Sequence, residues 1–118
     1  MGISGRKRIL VVEDEPLVAM LLQDMLGDLG FDVIGPALRI DAALGLVDAE
    51  PLDAAILDVN LGRGLSYPVA ERLAAKGVPF IFATGYGSAG ADWCGVPILR
   101  KPFEQNALSA ALANLLGT

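Results

Sequence analysis

The sequence of 118 residues contains no histidine. Imidazole is the base of Ser-His-Asp and Cys-His catalysis, a common zinc ligand and the phosphoryl carrier in histidine phosphotransfer, so this chain alone performs none of these functions. The single cysteine, Cys94, can form neither an internal disulfide nor a thiolate metal site, and it fits a reducing compartment.

Long hydrophobic runs and an excess of positive charge are missing as well. The longest uncharged stretch, residues 77–91, has 15 residues and contains four glycines and a proline. The apolar run at residues 9–12 is too short for the core of a signal peptide, so we expect neither a leader nor a membrane span. The net charge of −5 opposes nonspecific binding to nucleic acid. We therefore expect a cytoplasmic protein.

The residues that are present fit one compact domain. A chain of 118 residues, 53% hydrophobic and 19% charged, can bury one core and not two. We expect a single domain over residues 1–118, with its core at 7–116 and no attached effector domain.

Short apolar runs alternate with helical patterns along the chain. The runs at residues 8–12, 32–35, 54–59, 79–84 and 98–100 are apolar on both faces, as in parallel strands covered by helices. Helices are predicted at residues 16–29, 41–49, 67–77 and 104–116. This alternation predicts an α/β fold of repeated βα units around a parallel sheet.

Two of the predicted helices have a clear apolar face. The spacing is i, i+3, i+4, i+7 and i+11 in the first helix, which places Val18, Leu21, Leu22, Met25 and Leu29 together. In the last helix the corresponding face consists of Ala107, Leu108, Ala111, Leu112 and Leu115. We expect the face of the last helix to cover the sheet.

The fourth crossover is too short for an ordinary helix. Lys101 is 17 positions after Thr84, and four glycines and a proline interrupt the segment. A mean helix of about 11 to 12 residues, its loops and a strand do not fit in this length. The spacing therefore predicts a loop with at most one or two helical turns.

Three acidic side chains follow two of the predicted strands. Glu13 and Asp14 come directly after the first strand, and Asp58 lies at the end of the third. Ligand sites of open parallel sheets lie at the carboxyl ends of the strands, so the three acids meet if these strands are neighbours. Crowded carboxylates repel one another unless a hard cation binds their oxygens, and Mg²⁺ is the usual cation where phosphate is involved.

A hydroxyl group and a cationic side chain are expected at the same edge. Thr84 ends the fourth strand and Lys101 follows the fifth. A phosphoryl group on one of the acids would need such a donor and such a positive charge. A single acid at a strand end is typically a solvated helix cap, whereas five convergent groups indicate a functional site.

These residues lie in four short motifs, which are ILVVEDEP at 9–16, LDVNL at 57–61, ATG at 83–85 and LRKPF at 99–103. Together the motifs resemble the receiver domain of two-component response regulators, and the resemblance extends over residues 7–116. It implies a flavodoxin-like (βα)5 fold with the parallel strands in the order 2-1-3-4-5 and a fourth helix that is short or absent.

The resemblance also implies a role for each acidic residue. Asp58 resembles the phospho-acceptor. Asp14, Asp58 and the backbone carbonyl of Asn60 resemble direct ligands of Mg²⁺, and Glu13 would hold the metal through a water molecule. Glu13 replaces the commoner Asp, which a ligand acting through water tolerates.

For the other side chains, the resemblance implies that Thr84 receives a phosphoryl oxygen in the switched state. Lys101 would pair with the phosphoryl group or with Asp58. The domain would catalyse only its own phosphorylation and slow autodephosphorylation, and so would not be an enzyme in the ordinary sense.

The implied partner is a sensor histidine kinase or a histidine phosphotransfer protein. Residues 79–86, PFIFATGY, resemble the signature of FAT GUY receivers, which are typically single-domain regulators working with kinases of the HWE type. We expect no nucleic acid or membrane partner, and a monomer or a weak homodimer.

Switching in this chain must differ from the general receiver pattern. Ile98 occupies the position of the usual switch aromatic. As a separate departure from the pattern, Gly62 stands where many receivers have proline, which leaves residues 61–66 less rigid. Ile98 cannot act as an aromatic rotamer switch. We therefore expect phosphorylation to act by ordering a switch loop that includes Gly85, Tyr86 and Trp93.

Three other functions fit parts of the sequence. A degenerate receiver would use the same fold only to bind proteins, without phosphorylation. A phosphatase of the haloacid dehalogenase type needs a second acid two positions after its nucleophile, where this chain has Asn60. The sequence GYGSAG at 85–90 matches the dinucleotide fingerprint, but it lies in the fourth βα unit and not in the first, where that motif belongs.

Overall fold

The structure is a computed structural model that describes residues 6–59, 61, 64–85, 95–101 and 104–117. Its elements, in chain order, are β1 (Arg8–Val12), α1 (Pro16–Asp28), β2 (Asp32–Ala37), α2 (Ile40–Ala49), β3 (Ala54–Asp58), α3 (Tyr67–Ala75), β4 (Phe80–Thr84), β5 (Ile98–Arg100) and α4 (Gln105–Leu116). The predicted alternation of strands and helices is confirmed.

The five strands form one parallel sheet in the order β2-β1-β3-β4-β5. This is the flavodoxin-like order that the resemblance implied. The four helices of the described ranges fit a fourth crossover whose helix is short or absent, while residues 86–94 of that crossover lie outside the described residues. Because β1 and β3 are neighbours, the acids that follow them are brought together.

The sheet separates two hydrophobic layers, because successive side chains of a strand point to opposite faces. Ile9 and Val11 of β1 pack with α1 and α4, whereas Leu10 and Val12 pack with α2 and α3. β1, β3 and β4 are almost wholly buried. Burial on both faces explains why these strands read as continuous apolar runs.

Helices α1 and α3 end with the same pair of hydrogen bonds around a glycine in the left-handed region. After α1, Gly30 has a φ of 89°, its N–H bonds to the carbonyl of Gly27, and the next N–H bonds to the carbonyl of Leu26. Gly77 has a φ of 73° after α3 and makes the equivalent bonds. A side chain at either position would be strained, so the glycines fix where these helices stop.

The predicted faces of two helices were partly wrong. In α1, Leu21 is 45% exposed, and the buried residues are Ala19, Leu22 and Leu26. The buried face is therefore rotated away from the predicted one, because Leu22 and Leu26, one turn apart, contact the sheet. In α4 the buried residues are Leu108 and Leu112, whereas Ala107 is exposed.

Adjacent leucines of α1 provide a stability test of this assignment. We expect Leu22→Ala to lower the free energy of unfolding by about 2–5 kcal/mol, because it leaves a cavity in the layer beneath α1. The matched change Leu21→Ala should cost less than about 1 kcal/mol, since Leu21 is already 45% exposed to water. Urea titrations of both variants measure the difference, and equal losses would contradict the assigned face.

Strand bounds differ from the prediction by small amounts except in β2, which extends to Ala37 and not only to residue 35. β2 is an edge strand, where Pro36 removes no hydrogen bond from the interior of the sheet. Among the described residues, no helix has the length and apolar character needed to cross a membrane.

Candidate functional site

Polar side chains collect at the carboxyl edge of the sheet. Glu13 directly follows β1, Asp58 is the last residue of β3, and Thr84 is the last residue of β4. Lys101 follows β5, and its backbone N–H donates to the carbonyl of Thr84 at 2.8 Å. All four belong to adjacent strands, so the predicted convergence of these groups is present.

Lys101 lies at the centre of this group. Its ammonium Nζ is 2.7 Å from Oε1 of Glu13 and 3.1 Å from Oδ2 of Asp58. The lysine side chain is 18% exposed, and the side chains of Glu13 and Asp58 are 1% and 10% exposed. An ion pair with so little access to solvent is screened far less than a surface pair.

Glu13 has partners for both carboxylate oxygens. Oε1 accepts from Lys101, and Oε2 accepts from the backbone N–H of Glu15 at 3.1 Å. The backbone N–H of Glu13 donates to the carbonyl of Ala37 on β2. These contacts fix the side chain within the site. The water-mediated contact of Glu13 with the metal stays a prediction, and the direct hydrogen bond from Lys101 is an additional contact that the sequence did not indicate.

Three carboxylates are close enough to share a cation. One oxygen each from Glu13, Asp14 and Asp58 lies within 4.8 Å of the others. Oxygen ligands in a compact acidic group are what Mg²⁺ prefers, and a partly exposed residue such as Asp14 leaves room for water ligands. The donor set therefore fits Mg²⁺.

Burial and pairing shift the ionisation of two groups. Burial raises the pKa of Glu13 above its ordinary value of 4.5, although the hydrogen bond from Lys101 acts in the opposite direction. Burial opposes the charge on Lys101, but hydrogen bonds to Glu13 and Asp58 outweigh it and raise the lysine pKa above 10.5. Lys101 is therefore a fixed positive charge at neutral pH.

The raised pKa of Glu13 predicts a pH dependence of stability. Above pH 4.5 the folded chain retains a proton that the unfolded chain has released, so the contribution of Glu13 to the free energy of unfolding falls as the pH rises, until the pH passes the raised pKa. Glu13→Gln cannot titrate and should lack this decline. Urea titrations in EDTA measure the stability of wild type relative to the variant, and a difference that rises with pH would contradict the account.

A cleft opens beside Asp14. It has a volume of about 770 Å³ and lies between the ends of β1 and β2 and the loop after β3. Leu38, Ile40, Leu44 and Leu61 line it, together with the polar side chains of Arg39 and Asp41. Arg39 and Asp41 form an exposed ion pair at its rim. The sequence pattern does not indicate this cleft, because its walls come from three separate parts of the chain: the segment after β1, the first turns of α2 with the residues before them, and the loop after β3.

Several predicted site residues cannot be placed. Asn60, Tyr86 and Trp93 lie outside the described residues, as do Gly62 and residues 102–103. Of the predicted switch loop, Gly85 is described, at the end of β4 beside Thr84. The roles assigned to Asn60, Tyr86 and Trp93 stay predictions.

Comparisons with known proteins agree with this geometry. The family model of the response regulator receiver domain matches residues 9–113. SdrG from Sphingomonas melonis Fr1 is 46% identical, with a TM-score of 0.86 over 97% of this chain and 99% of SdrG. The solution structure of SdrG described as BeF3-activated, from Pseudomonas melonis Fr1, is 44% identical, with a TM-score of 0.82 over the same shares.

Two further similarities concern the metal and chain length. The receiver domain of the sensor histidine kinase PA1611 from Pseudomonas aeruginosa PAO1 is described with a magnesium ion in its active-site cleft. It is 25% identical to this chain, with a TM-score of 0.84 over 97% of this chain and 100% of the PA1611 domain. The regulator PhyR from Methylorubrum extorquens is 33% identical over 92% of this chain, which spans only 43% of PhyR. The chain belongs to the response regulator receiver domain family of two-component systems.

Proposed function

We propose that Asp58 accepts a phosphoryl group from the phosphohistidine of a sensor histidine kinase or a histidine phosphotransfer protein. The observation that carries the proposal is the position of Lys101, whose ammonium lies 3.1 Å from Oδ2 of Asp58 within a cluster of three acids. A lysine that is hydrogen-bonded to a carboxylate at the sheet edge can stabilise the negative charge of a phosphoryl group transferred to that carboxylate. Phosphorylation then changes the conformation of the domain and so transmits a signal.

In the transfer, one Asp58 carboxylate oxygen attacks phosphorus in line with the bond to the donor imidazole. The new O–P bond forms as the P–N bond breaks, and the electron pair of that bond leaves with the imidazole. Lys101 stabilises the negative charge on the transferred oxygens. Glu13, Asp14 and Asp58 would hold Mg²⁺, which when bound supplies further positive charge to those oxygens. Attack by water on the aspartyl phosphate later resets the domain.

The protein that carries the phosphohistidine must contact the surface next to Asp58, and α1 has exposed apolar side chains on that surface. Leu17, Met20 and Leu21 are 79%, 57% and 45% exposed, and α1 begins two residues after Asp14. Exposed leucine and methionine side chains beside a site suit the packing of a partner helix. We assign this face to the helix that carries the phosphohistidine.

The test of the proposal is phosphorylation by a small donor with a P–N bond, such as phosphoramidate. With Mg²⁺ the wild-type chain should gain one phosphoryl group by intact mass, and with EDTA it should gain little. A chain that gains none under either condition, yet is folded and binds a partner, would be the degenerate binding module instead.

The switch is proposed to begin at Thr84, which is buried next to the site. Drawing its hydroxyl toward the phosphoryl group moves Gly85 and the residues after it. Amide exchange should therefore show greater protection of residues 85–95 when Mg²⁺ and beryllofluoride are added to wild type or to Thr84→Ser. Thr84→Ala, which lacks the hydroxyl, should show no increase, and an increase equal to that of wild type would contradict this mechanism.

A further inference from the structure

The exposed face of α1 changes character along its length. Four exposed residues follow the spacing i, i+4, i+7 and i+11 on one face of the helix, and they are Leu17, Leu21, Asp24 and Asp28. The leucines are in the half nearer the site, because α1 begins two residues after Asp14. The two acids lie about one and two turns beyond Leu21. The face is therefore apolar near the site and negatively charged farther away.

The two acids oppose the stability of the helix that carries them. Asp24 and Asp28 are one turn apart, where like charges repel. Asp28 is the last residue of α1, and the last turn contains no basic residue, although the helix dipole favours positive charge there. In the part of the chain that the structure describes, neither acid forms an ion pair. The described residues therefore supply no charge that offsets these acids.

The charge of this face distinguishes its possible occupants. Two copies of the chain that met through it would place the acids against acids or against leucines, and neither contact compensates the negative charge. Nucleic acid and an anionic membrane surface are repelled by the same carboxylates. A helix with apolar side chains in one half and basic side chains in the other complements the whole face.

We propose that α1 selects by charge the helix that carries the phosphohistidine. That helix packs apolar side chains on Leu17 and Leu21, and it places lysine or arginine opposite Asp24 and Asp28, about one to two turns farther from its histidine. The inference rests on the proposed phosphoryl transfer and adds the chemistry of the partner's surface. The two acids contact the partner and not the reacting atoms, so they determine specificity and are not catalytic residues.

Two synthetic peptides, cross-linked into helices, test the selection. Both have leucines at i and i+4, followed at i+7 and i+11 by lysines in the basic peptide and by glutamates in the acidic peptide. Wild type should bind the basic peptide about tenfold more tightly, with backbone amide NMR shifts along α1. The variant Asp24→Lys/Asp28→Lys should prefer the acidic peptide, and a variant that still prefers the basic peptide would overturn the proposal.

A matched control separates the α1 face from the net charge of the chain. Glu71→Lys makes the same charge change as Asp28→Lys at an exposed position of α3, which covers the other face of the sheet. Asp28→Lys should weaken binding of the basic peptide by about threefold, and added salt should reduce this difference. Glu71→Lys should bind like wild type. Equal weakening by both changes would mean that only net charge matters, and would overturn the proposal.

Stability distinguishes a recognition role of Asp28 from a structural one. Asp28→Lys should raise the urea midpoint of unfolding, because a cation then replaces an acid at the carboxyl end of α1. A lower midpoint would mean that Asp28 supports the fold, and would overturn the proposal.

The proposed function and this inference fail in different experiments. Peptide binding requires no phosphorylation, and phosphorylation by phosphoramidate requires no partner helix. Wild type that is phosphorylated but binds both peptides equally would overturn the charge selection and leave the proposed function intact. Wild type that prefers the basic peptide but gains no phosphoryl group would instead contradict the proposed function.

Discussion

Replacing Asp58 with asparagine should abolish phosphorylation of the chain. Asparagine keeps the shape of the side chain, but its amide lacks the anionic oxygen that attacks phosphorus. Asp58 lies at the end of β3 within reach of Lys101. Glu13 also bonds Lys101, but both of its oxygens have partners and its side chain is 1% exposed, so we do not expect it to replace Asp58 as the acceptor. Incubation with phosphoramidate and Mg²⁺, followed by intact mass measurement, should show one added phosphoryl group on wild type and none on Asp58→Asn.

Two controls keep this result interpretable. Asp24→Asn changes an exposed carboxylate on α1 and should be phosphorylated like wild type. Asp58→Asn should still unfold cooperatively, since asparagine can accept a hydrogen bond from Lys101 where aspartate did. Stoichiometric labelling of folded Asp58→Asn would show that the acceptor has been assigned to the wrong residue.

Replacing Asp14 with alanine should remove the response to Mg²⁺. A ligand that binds only the folded chain stabilises it by RT ln(1 + [L]/Kd), which is about 1.4 kcal/mol at ten times Kd. Wild type should show this increase in thermal or urea unfolding, and Asp14→Ala should not. Without bound Mg²⁺ the transition state would lose several kcal/mol of charge stabilisation. Phosphorylation should therefore also slow by about a hundredfold or more.

The matched control is Asp24→Ala, ten positions along the chain on the exposed face of α1. It removes the same charge and should keep both the Mg²⁺ stabilisation and the phosphorylation rate. If Asp14→Ala is stabilised by Mg²⁺ as strongly as wild type, the three-acid cluster is not the metal site.

The sheet and the positions of the site acids could be predicted from the sequence for a simple reason. Strands covered on both faces are continuous apolar runs, and a polar residue marks the end of such a run, as Asp58 does in β3 and Glu13 does directly after β1. Once the strand order places β1 beside β3, the convergence of Glu13, Asp14 and Asp58 follows. The positions of the strand ends are enough to bring these acids together.

The remaining features depend on side-chain packing, which periodicity does not specify. Leu21 and Leu22 are equally apolar neighbours on α1, and the orientation of the helix on the sheet decides which of them is buried. The bond between Glu13 and Lys101 joins residues 88 positions apart and depends on side-chain length. The resemblance to the general receiver pattern implied that Glu13 helps to hold the metal, and it did not imply the hydrogen bond between Glu13 and Lys101.

The most direct test of the account is chemical mapping of the phosphorylated residue. Borohydride reduces an aspartyl phosphate to the alcohol of homoserine, which peptide mass spectrometry locates in the chain. After treatment with phosphoramidate and Mg²⁺, the account predicts homoserine at position 58 and at no other aspartate. Homoserine at Asp14 or elsewhere, or no reduced residue in a chain that has gained a phosphoryl group, would contradict it.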